Sequence, residues 1–144
     1  PTSLAFDFSR IEDVKFSTLF TAPALEEAWW LLSPRLELGG TFNLAGKGEN
    51  IVHANLNWQF GLFESPFYVE VGLGAGLTDG ALTGAVAPAR NFGCAFNFYE
   101  SFGVGAHINE KMTATLVYEH VSNLGICTPN QGLSNVGVQL GWKF

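Results

Sequence analysis

From residue 35 onward the chain alternates apolar and polar residues with period two. Leu36, Leu38, Gly40, Phe42 and Leu44 interleave with Arg35, Glu37, Gly39, Thr41 and Asn43. Val52, Ala54, Leu56, Trp58, Phe60 and Leu62 interleave with His53, Asn55, Asn57, Gln59 and Gly61. Phe67, Val69, Val71, Leu73, Ala75 and Leu77 face away from Tyr68, Glu70 and the glycines at 72, 74 and 76. Phe96, Phe98, Phe102, Val104, Ala106 and Ile108 oppose Asn97, Tyr99, Ser101, Gly103, Gly105 and His107. Lys111 to Ser122 carries Met112, Ala114, Leu116 and Tyr118 on one side. Leu133 to Phe144 carries Val136, Val138, Leu140, Trp142 and Phe144. Successive strand residues point to opposite faces, so each run predicts a strand with one apolar face and one polar or glycine face. The N-terminal third is less regular. Leu4, Phe6 and Phe8 suggest one strand, Arg10 to Asp13 a turn, and Val14, Phe16, Thr18 and Phe20 a second strand. Residues 21–32 do not alternate and predict a short helical or irregular link. Its Trp29-Trp30 pair suits a membrane–water interface, and a buried tryptophan cluster would serve equally.

About eight strands of roughly ten residues can be arranged in two ways. A soluble sandwich turns the apolar faces inward; an outer-membrane barrel turns them toward lipid and keeps a polar lumen. Three features favour the barrel. The polar faces are rich in Asn, Gln, Gly and single charges, which suits a packed polar interior. Connections alternate between short (63–66, 109–111) and long (45–50, 78–93, 123–132), as periplasmic turns and extracellular loops do. The last strand ends on Phe144 with Trp142 and Leu140 on the same face, resembling the C-terminal signature of outer-membrane barrels. The expected fold is therefore all-β: an eight-stranded antiparallel transmembrane barrel with a packed polar interior, too narrow to be a pore. Residues 1–144 make a single domain, with both termini periplasmic and the long loops outside the cell.

Composition agrees. Charged residues make up 14% and aromatics 14%, with 17 glycines, which is apolar and glycine-rich for a soluble domain. No run approaches the roughly 20 apolar residues of a spanning helix. A net charge of −6 argues against nucleic acid. The start at Pro1 without an initiator Met fits removal of a signal peptide. Two cysteines, Cys94 and Cys127, allow one disulfide and exclude a cysteine-rich metal site. Both fall in predicted extracellular segments, where an oxidising setting favours their pairing and would tie the 78–93 loop to the 123–132 loop.

Candidate chemistry sits at the outer end of the Lys111–Ser122 strand. His120 and Ser122 share its apolar face, at outer-leaflet depth. A polar residue facing hydrocarbon is costly and is a functional candidate, although polarity at the membrane edge is cheap and serine is common at strand ends. His53 and His107 fall on the lumen face, where structural hydrogen bonding explains them. A histidine and a serine on one face can form the base–nucleophile pair of acyl transfer.

The segment EHVSNLGICTPNQG resembles the His-x-Ser-Asn…Pro-Asn-x-Gly signature of the PagL-type lipid A 3-O-deacylases, a family of outer-membrane β-barrel esterases. The likeness is close over the last two strands and their loop and extends in general pattern back to about residue 33 (SPRLELGGTFN). It implies an integral protein of a Gram-negative-type outer membrane whose lipid-facing Ser-His-acid site hydrolyses the 3-O acyl ester of lipid A, the lipid anchor of lipopolysaccharide. It implies Ser122 as nucleophile, His120 as general base, and an oxyanion site made by Asn130 with the backbone amide near Gly125. Asn123 belongs to the same substrate-binding group, and both asparagines also suit turns. The family's acid position is occupied here by Ser134, which carries no charge.

Glu100 offers a replacement, as the charged residue on the apolar parity of the Phe96–Ile108 strand. If a three-residue turn sets Ile108 opposite Met112, Glu100 lies directly opposite His120, with Cβ atoms about 4.5–5.5 Å apart. That suits a carboxylate orienting an imidazolium. Glu119 points into the lumen and is a poor candidate. This chemistry needs no metal or cofactor. The loops are poor in cations, Lys47 and Arg90 being the clearest, so divalent ions could bridge to lipid A phosphates. The expected partners are lipid A and outer-membrane lipids, with a homodimer or an envelope complex as further options. The alternative is an inactive barrel of the same fold serving as a structural or scaffolding subunit, which Ser134 favours; a soluble sandwich that binds a ligand stands third.

Overall fold

A computed structural model describes residues 13–44, 49–87 and 89–143. Seven strands pair antiparallel in chain order: β1 Asp13–Phe20, β2 Arg35–Asn43, β3 Ile51–Gly61, β4 Phe67–Thr78, β5 Phe96–His107, β6 Met112–Ser122 and β7 Leu133–Trp142. The expected eighth strand, Leu4 to Phe8, lies outside the described residues, as does Phe144; the structure thus establishes a nearly closed antiparallel barrel of seven strands. The six strands expected from residue 35 onward agree with β2–β7 to within a residue or two. The link before them contains helix α1, Pro23–Glu26, and a 3₁₀ turn at Trp29–Leu31.

The polarity of the sheet is inverted relative to a soluble domain. Glu37, His53, Asn55, Asn57, Glu70, Asn97 and Ser101 are buried, while Phe16, Leu38, Leu73, Phe102, Leu116 and Val138 are exposed. Leu73 keeps half of its surface (51%) whereas Asn57 keeps 1%, so the apolar parity is the outer one. In water this arrangement would strand several hundred Å² of hydrocarbon; against lipid tails it is the favourable one. Among the described residues each strand from β1 to β7 is hydrogen-bonded to its neighbours in the sheet, the strand-to-strand pairing on which crossing a bilayer without helices depends. Strands β3 to β6 run 11–12 residues, about 36–40 Å at ~3.3 Å per residue, enough for a tilted crossing.

A charged cluster holds the lumen together. Lys15 Nζ lies 3.3 Å from Glu37 Oε1 and 3.2 Å from Glu119 Oε1, and donates to Tyr99 Oη at 2.8 Å. One side chain of β1 therefore reaches β2, β5 and β6, which requires the sheet to curl nearly onto itself. Asn55 Nδ2 donates to Glu37 Oε2 at 2.9 Å, His53 Nδ1 lies 2.8 Å from Asn55 Oδ1, and the His53 ring stacks on Tyr99 at 4.1 Å. Nearer the end that carries the short turns, Arg35 pairs with Glu70 at 3.7 Å and donates to Asn57 Oδ1 at 2.9 Å. Tyr68, also buried, bonds Thr115 through its hydroxyl at 2.6 Å. Its ring lies where a Cβ on Gly105 would stand, so that glycine makes room for an aromatic ring in a narrow lumen.

The Trp29-Trp30 pair is 80% and 72% exposed, so the buried-cluster option does not hold. These indoles lie in the β1–β2 link, at the same end of the barrel as the short turns, one of which carries the exposed Phe63.

Because the Glu37 and Glu119 carboxylates share Lys15, truncating it leaves two charges short of their cation in a poorly hydrated space. Lys15→Ala should lower the unfolding free energy by on the order of 3–5 kcal/mol. Denaturant titration of the detergent-folded barrel measures this, and an unchanged midpoint would remove the cluster from its structural role.

Candidate active site

The site follows from strand register. Strands β5 and β6 pair Glu100 with His120 and Phe98 with Ser122, and β6 and β7 pair His120 with Ser134. Glu100, His120 and Ser134 therefore stand abreast on the outer face of three adjacent strands, at one level. Ser122 stands one step further out on the same face. The tight turn that sets this register is as expected, with the Ile108 N–H donating to the Met112 carbonyl at 2.8 Å.

His120 is half-buried; Glu100 and Ser134 are exposed. His120 Nδ1 lies 2.8 Å from Ser134 Oγ, and that hydroxyl lies 3.2 Å from Tyr118 Oη. The imidazole thus leans toward β7. Among the described residues no hydrogen bond or ion pair joins Glu100 to His120, or His120 to Ser122. Ser122 is only 8% exposed, less open than its outward parity implies. The chain returning into β7 covers it. Gly132, at φ +61°, approaches so closely that a Cβ there would lie 3.3 Å from His120 Cε1 and 3.6 Å from Ser122 Cβ. A side chain at this position would be strained by its backbone conformation, would press on the Val121 carbonyl at 2.8 Å and would crowd His120.

Two outer loops are fastened over this end. The disulfide Cys94–Cys127 joins them, with Cα atoms 5.8 Å apart. Asn123, 1% exposed, is the hub. Its Nδ2 donates to the Phe92 carbonyl at 2.6 Å and to the Pro129 carbonyl at 3.2 Å. Its Oδ1 accepts from the Gly125 amide at 2.8 Å and from the Cys127 amide at 3.4 Å. Asn130 Oδ1 accepts the Asn123 N–H at 3.0 Å. The backbone amide of Gly125 is therefore engaged within the loop. Asn130 spends its oxygen on the loop and keeps its NH₂ group for other partners. Asn91 and Gln131 add a second clasp, the Asn91 N–H donating to Gln131 Oε1 at 2.7 Å and the Gln131 N–H to the Asn91 carbonyl at 3.2 Å. Beneath these contacts Phe92, Ile51, Tyr99 and Val121 form a small buried apolar cluster that plugs the outer mouth of the lumen.

The expected residues separate into two groups. His120, Glu100 and Ser134 come together in one row with Ser122 beside them, and Asn123, Asn130 and Gly125 assemble the loop above. His53 is a lumen residue, His107 packs at 5.0 Å against Tyr68 near the short turns, and Glu119 is engaged with Lys15. Sequence reading passed over Tyr118 as one more apolar-face residue. Its hydroxyl touches Ser134, and the available signal was its place two residues before His120 on the same face. It also passed over Phe92 and Gln131, whose roles depend on loop contacts that have no periodicity.

An inverted-polarity barrel with a histidine, hydroxyl groups and a carboxylate clustered on its outer wall belongs to the membrane β-barrels that carry chemistry-bearing groups outside rather than within the lumen. The model of the lipid A 3-O-deacylase (PagL) family matches residues 13–143, and the chain belongs to that family. It is also 32% identical over 78 residues to the lipid A deacylase PagL of Bordetella bronchiseptica (strain ATCC BAA-588 / NCTC 13252 / RB50). That match covers 54% of this chain and 42% of the relative, so it spans less than half of the relative's length. No solved structure matches the chain.

Asn123→Ala would leave two loop amides without an acceptor and two carbonyls without a donor, at about 1–3 kcal/mol for each group left buried and unpaired. Protease cleavage within residues 79–95 and 123–132 should accelerate while the gel mobility of the folded barrel stays as in the parent. Unchanged cleavage would show that the disulfide alone holds the loops.

Proposed function

We propose that this protein is an integral outer-membrane esterase that hydrolyses the 3-O ester-linked acyl chain of lipid A, with Ser122 as nucleophile and His120 as general base. The observation that carries the reading is the placement of these two residues on the outward, lipid-facing wall at the long-loop end. An ester of an outer-leaflet lipid would reach His120 there without entering the barrel, and would reach Ser122, 8% exposed under the returning chain, once that chain gives way to the substrate. Membership of the lipid A 3-O-deacylase family supports the substrate class and the outer-membrane location.

The chemistry follows the general scheme of serine acyl transfer. His120 Nε2 takes the proton of Ser122 Oγ as that oxygen attacks the ester carbonyl. The negative charge that develops on the carbonyl oxygen needs a preorganised donor; we assign this role to the Asn130 NH₂ group, whose carbonyl oxygen is anchored by the Asn123 N–H at 3.0 Å. Collapse breaks the ester bond. His120 returns the proton to the departing sugar oxygen, and the acyl chain remains on Ser122. Water, activated by the same imidazole, then releases the free fatty acid. The base and nucleophile are not within hydrogen-bonding distance here, a common condition before substrate is seated. Glu100 is the charged member of the triad, facing His120 across the β5–β6 pair and stabilising the imidazolium.

A second reading keeps the barrel and removes the chemistry. Ser134 in place of the acid favours it, since a neutral hydroxyl cannot stabilise an imidazolium as a carboxylate does.

Mass spectrometry of purified lipid A incubated with the detergent-folded protein decides between them. The parent should release one 3-O acyl chain, Ser122→Ala should lose roughly 10³-fold or more in rate, and Glu100→Gln roughly 10–100-fold. A parent protein that releases no acyl chain would leave the scaffolding reading. Full activity in Glu100→Gln beside an inactive Ser122→Ala would exclude Glu100 from the triad.

A further inference from the structure

The arrangement around His120 separates two tasks that one carboxylate performs in an ordinary triad. That carboxylate accepts the Nδ1 proton, fixing tautomer and ring orientation, and it supplies the negative charge that stabilises the imidazolium. Here the Nδ1 partner is Ser134 Oγ on β7, at 2.8 Å, with Tyr118 Oη a further 3.2 Å away. The carboxylate stands on the other flank, on β5, opposite His120 in register but outside hydrogen-bonding contact.

We propose that the acid function is divided. Ser134, backed by Tyr118, is the positioning residue that holds the Nδ1–H tautomer, and Glu100 provides charge alone. This rests on the esterase reading above for its catalytic meaning.

The hydrogen-bond chemistry is consistent along the row. In the tautomer that acyl transfer requires, Nδ1–H donates to a lone pair of Ser134 Oγ, which leaves Nε2 free as the base. The Ser134 hydroxyl keeps its own proton to donate to Tyr118 Oη. A hydroxyl can therefore do what an amide in the same place cannot guarantee, because it accepts from Nδ1–H without competing as an N–H donor. A neutral acceptor adds no charge. The surroundings supply it from a single direction. On the outer face, β5 presents Glu100 to His120, β7 presents Ser134, its own strand presents Tyr118 and Ser122, and the returning chain presents Gly132. The charged residue adjacent in sequence, Glu119, lies across the sheet in the lumen, engaged with Lys15 at 3.2 Å.

Two independent signatures follow, because the tautomer reports ring orientation and the rate reports charge stabilisation as well. ¹⁵N NMR of His120 in detergent micelles, assigned with His120→Gln, should show the Nδ1–H tautomer in the parent. Ser134→Ala should lose that tautomer. Glu100→Gln should keep it, because Ser134 and not the carboxylate is the Nδ1 partner. In lipid A hydrolysis, Ser134→Ala should reduce kcat about tenfold or more with KM unchanged. Glu100→Gln should reduce kcat about tenfold or more while the Nδ1–H tautomer is kept. Ser134→Glu should restore both functions at one position and rescue Glu100→Gln.

Retention of the Nδ1–H tautomer and of kcat in Ser134→Ala would overturn the proposal. So would a Glu100→Gln variant that loses the tautomer or keeps the parent's kcat. A parent that shows the tautomer but hydrolyses nothing would instead overturn the esterase reading and, with it, the catalytic part of the division.

Discussion

Strand register is the constraint on which the remainder depends. Every strand has one lumen face and one lipid face, so a slip of one residue would exchange them completely. Lys15, Glu37 and Glu119 would then lie in hydrocarbon, and Phe16, Leu38 and Tyr118 would crowd the lumen. The cost of burying even one unpaired charge there exceeds any local preference of the turns. That penalty, paid in the lumen, sets Glu100 opposite His120 and His120 opposite Ser134 on the outside. The chemistry-bearing row is thus positioned by residues on the far side of the sheet from it.

The two ends of the barrel are built for different tasks. At one end the β3–β4 and β5–β6 turns are short and closed by backbone hydrogen bonds, and the longer β1–β2 link carries exposed indoles suited to the polar–apolar boundary of a bilayer. At the other, long segments are fastened to one another by Cys94–Cys127, by Asn123 and by the Asn91–Gln131 clasp. Loops that carry function need a rigid scaffold beneath and fixed contacts among themselves. Here the buried amide of Asn123 supplies much of that fixing, and the approach of Gly132 brings the loop down onto His120 and Ser122.

Polar groups on a lipid-facing wall also face an energetic limit. A charge there is tolerated best near the membrane edge, and the row of Glu100, His120 and Ser134 lies toward the outer ends of its strands. A neutral hydroxyl beside the imidazole reduces the number of charges exposed on that wall to one carboxylate. The disposition of hydroxyl on one flank and carboxylate on the other follows from that limit as well as from register.

The residues alone determined a good deal. Period-two alternation from Arg35 onward specified six strands, and the identity of the polar face, rich in Asn, Gly and single charges, specified which side was inside. The short turn after Ile108 made Glu100 and His120 cross-strand neighbours, because antiparallel pairing is arithmetic once a turn is set. The pairing of Cys94 with Cys127 was legible because only two cysteines exist and both fall in long loops. Tertiary structure decided what periodicity cannot encode. It showed that His120 turns its Nδ1 toward Ser134 rather than toward Glu100, since a ring's orientation is chosen by competing partners on both flanking strands. It showed that Ser122 lies under the returning chain, since loop backbones follow hydrogen bonds such as those of Asn123 rather than any repeat. It also placed Lys15 between Glu37, Glu119 and Tyr99, because the curvature that brings the first strand to the sixth is a property of the whole sheet and of no single segment within it.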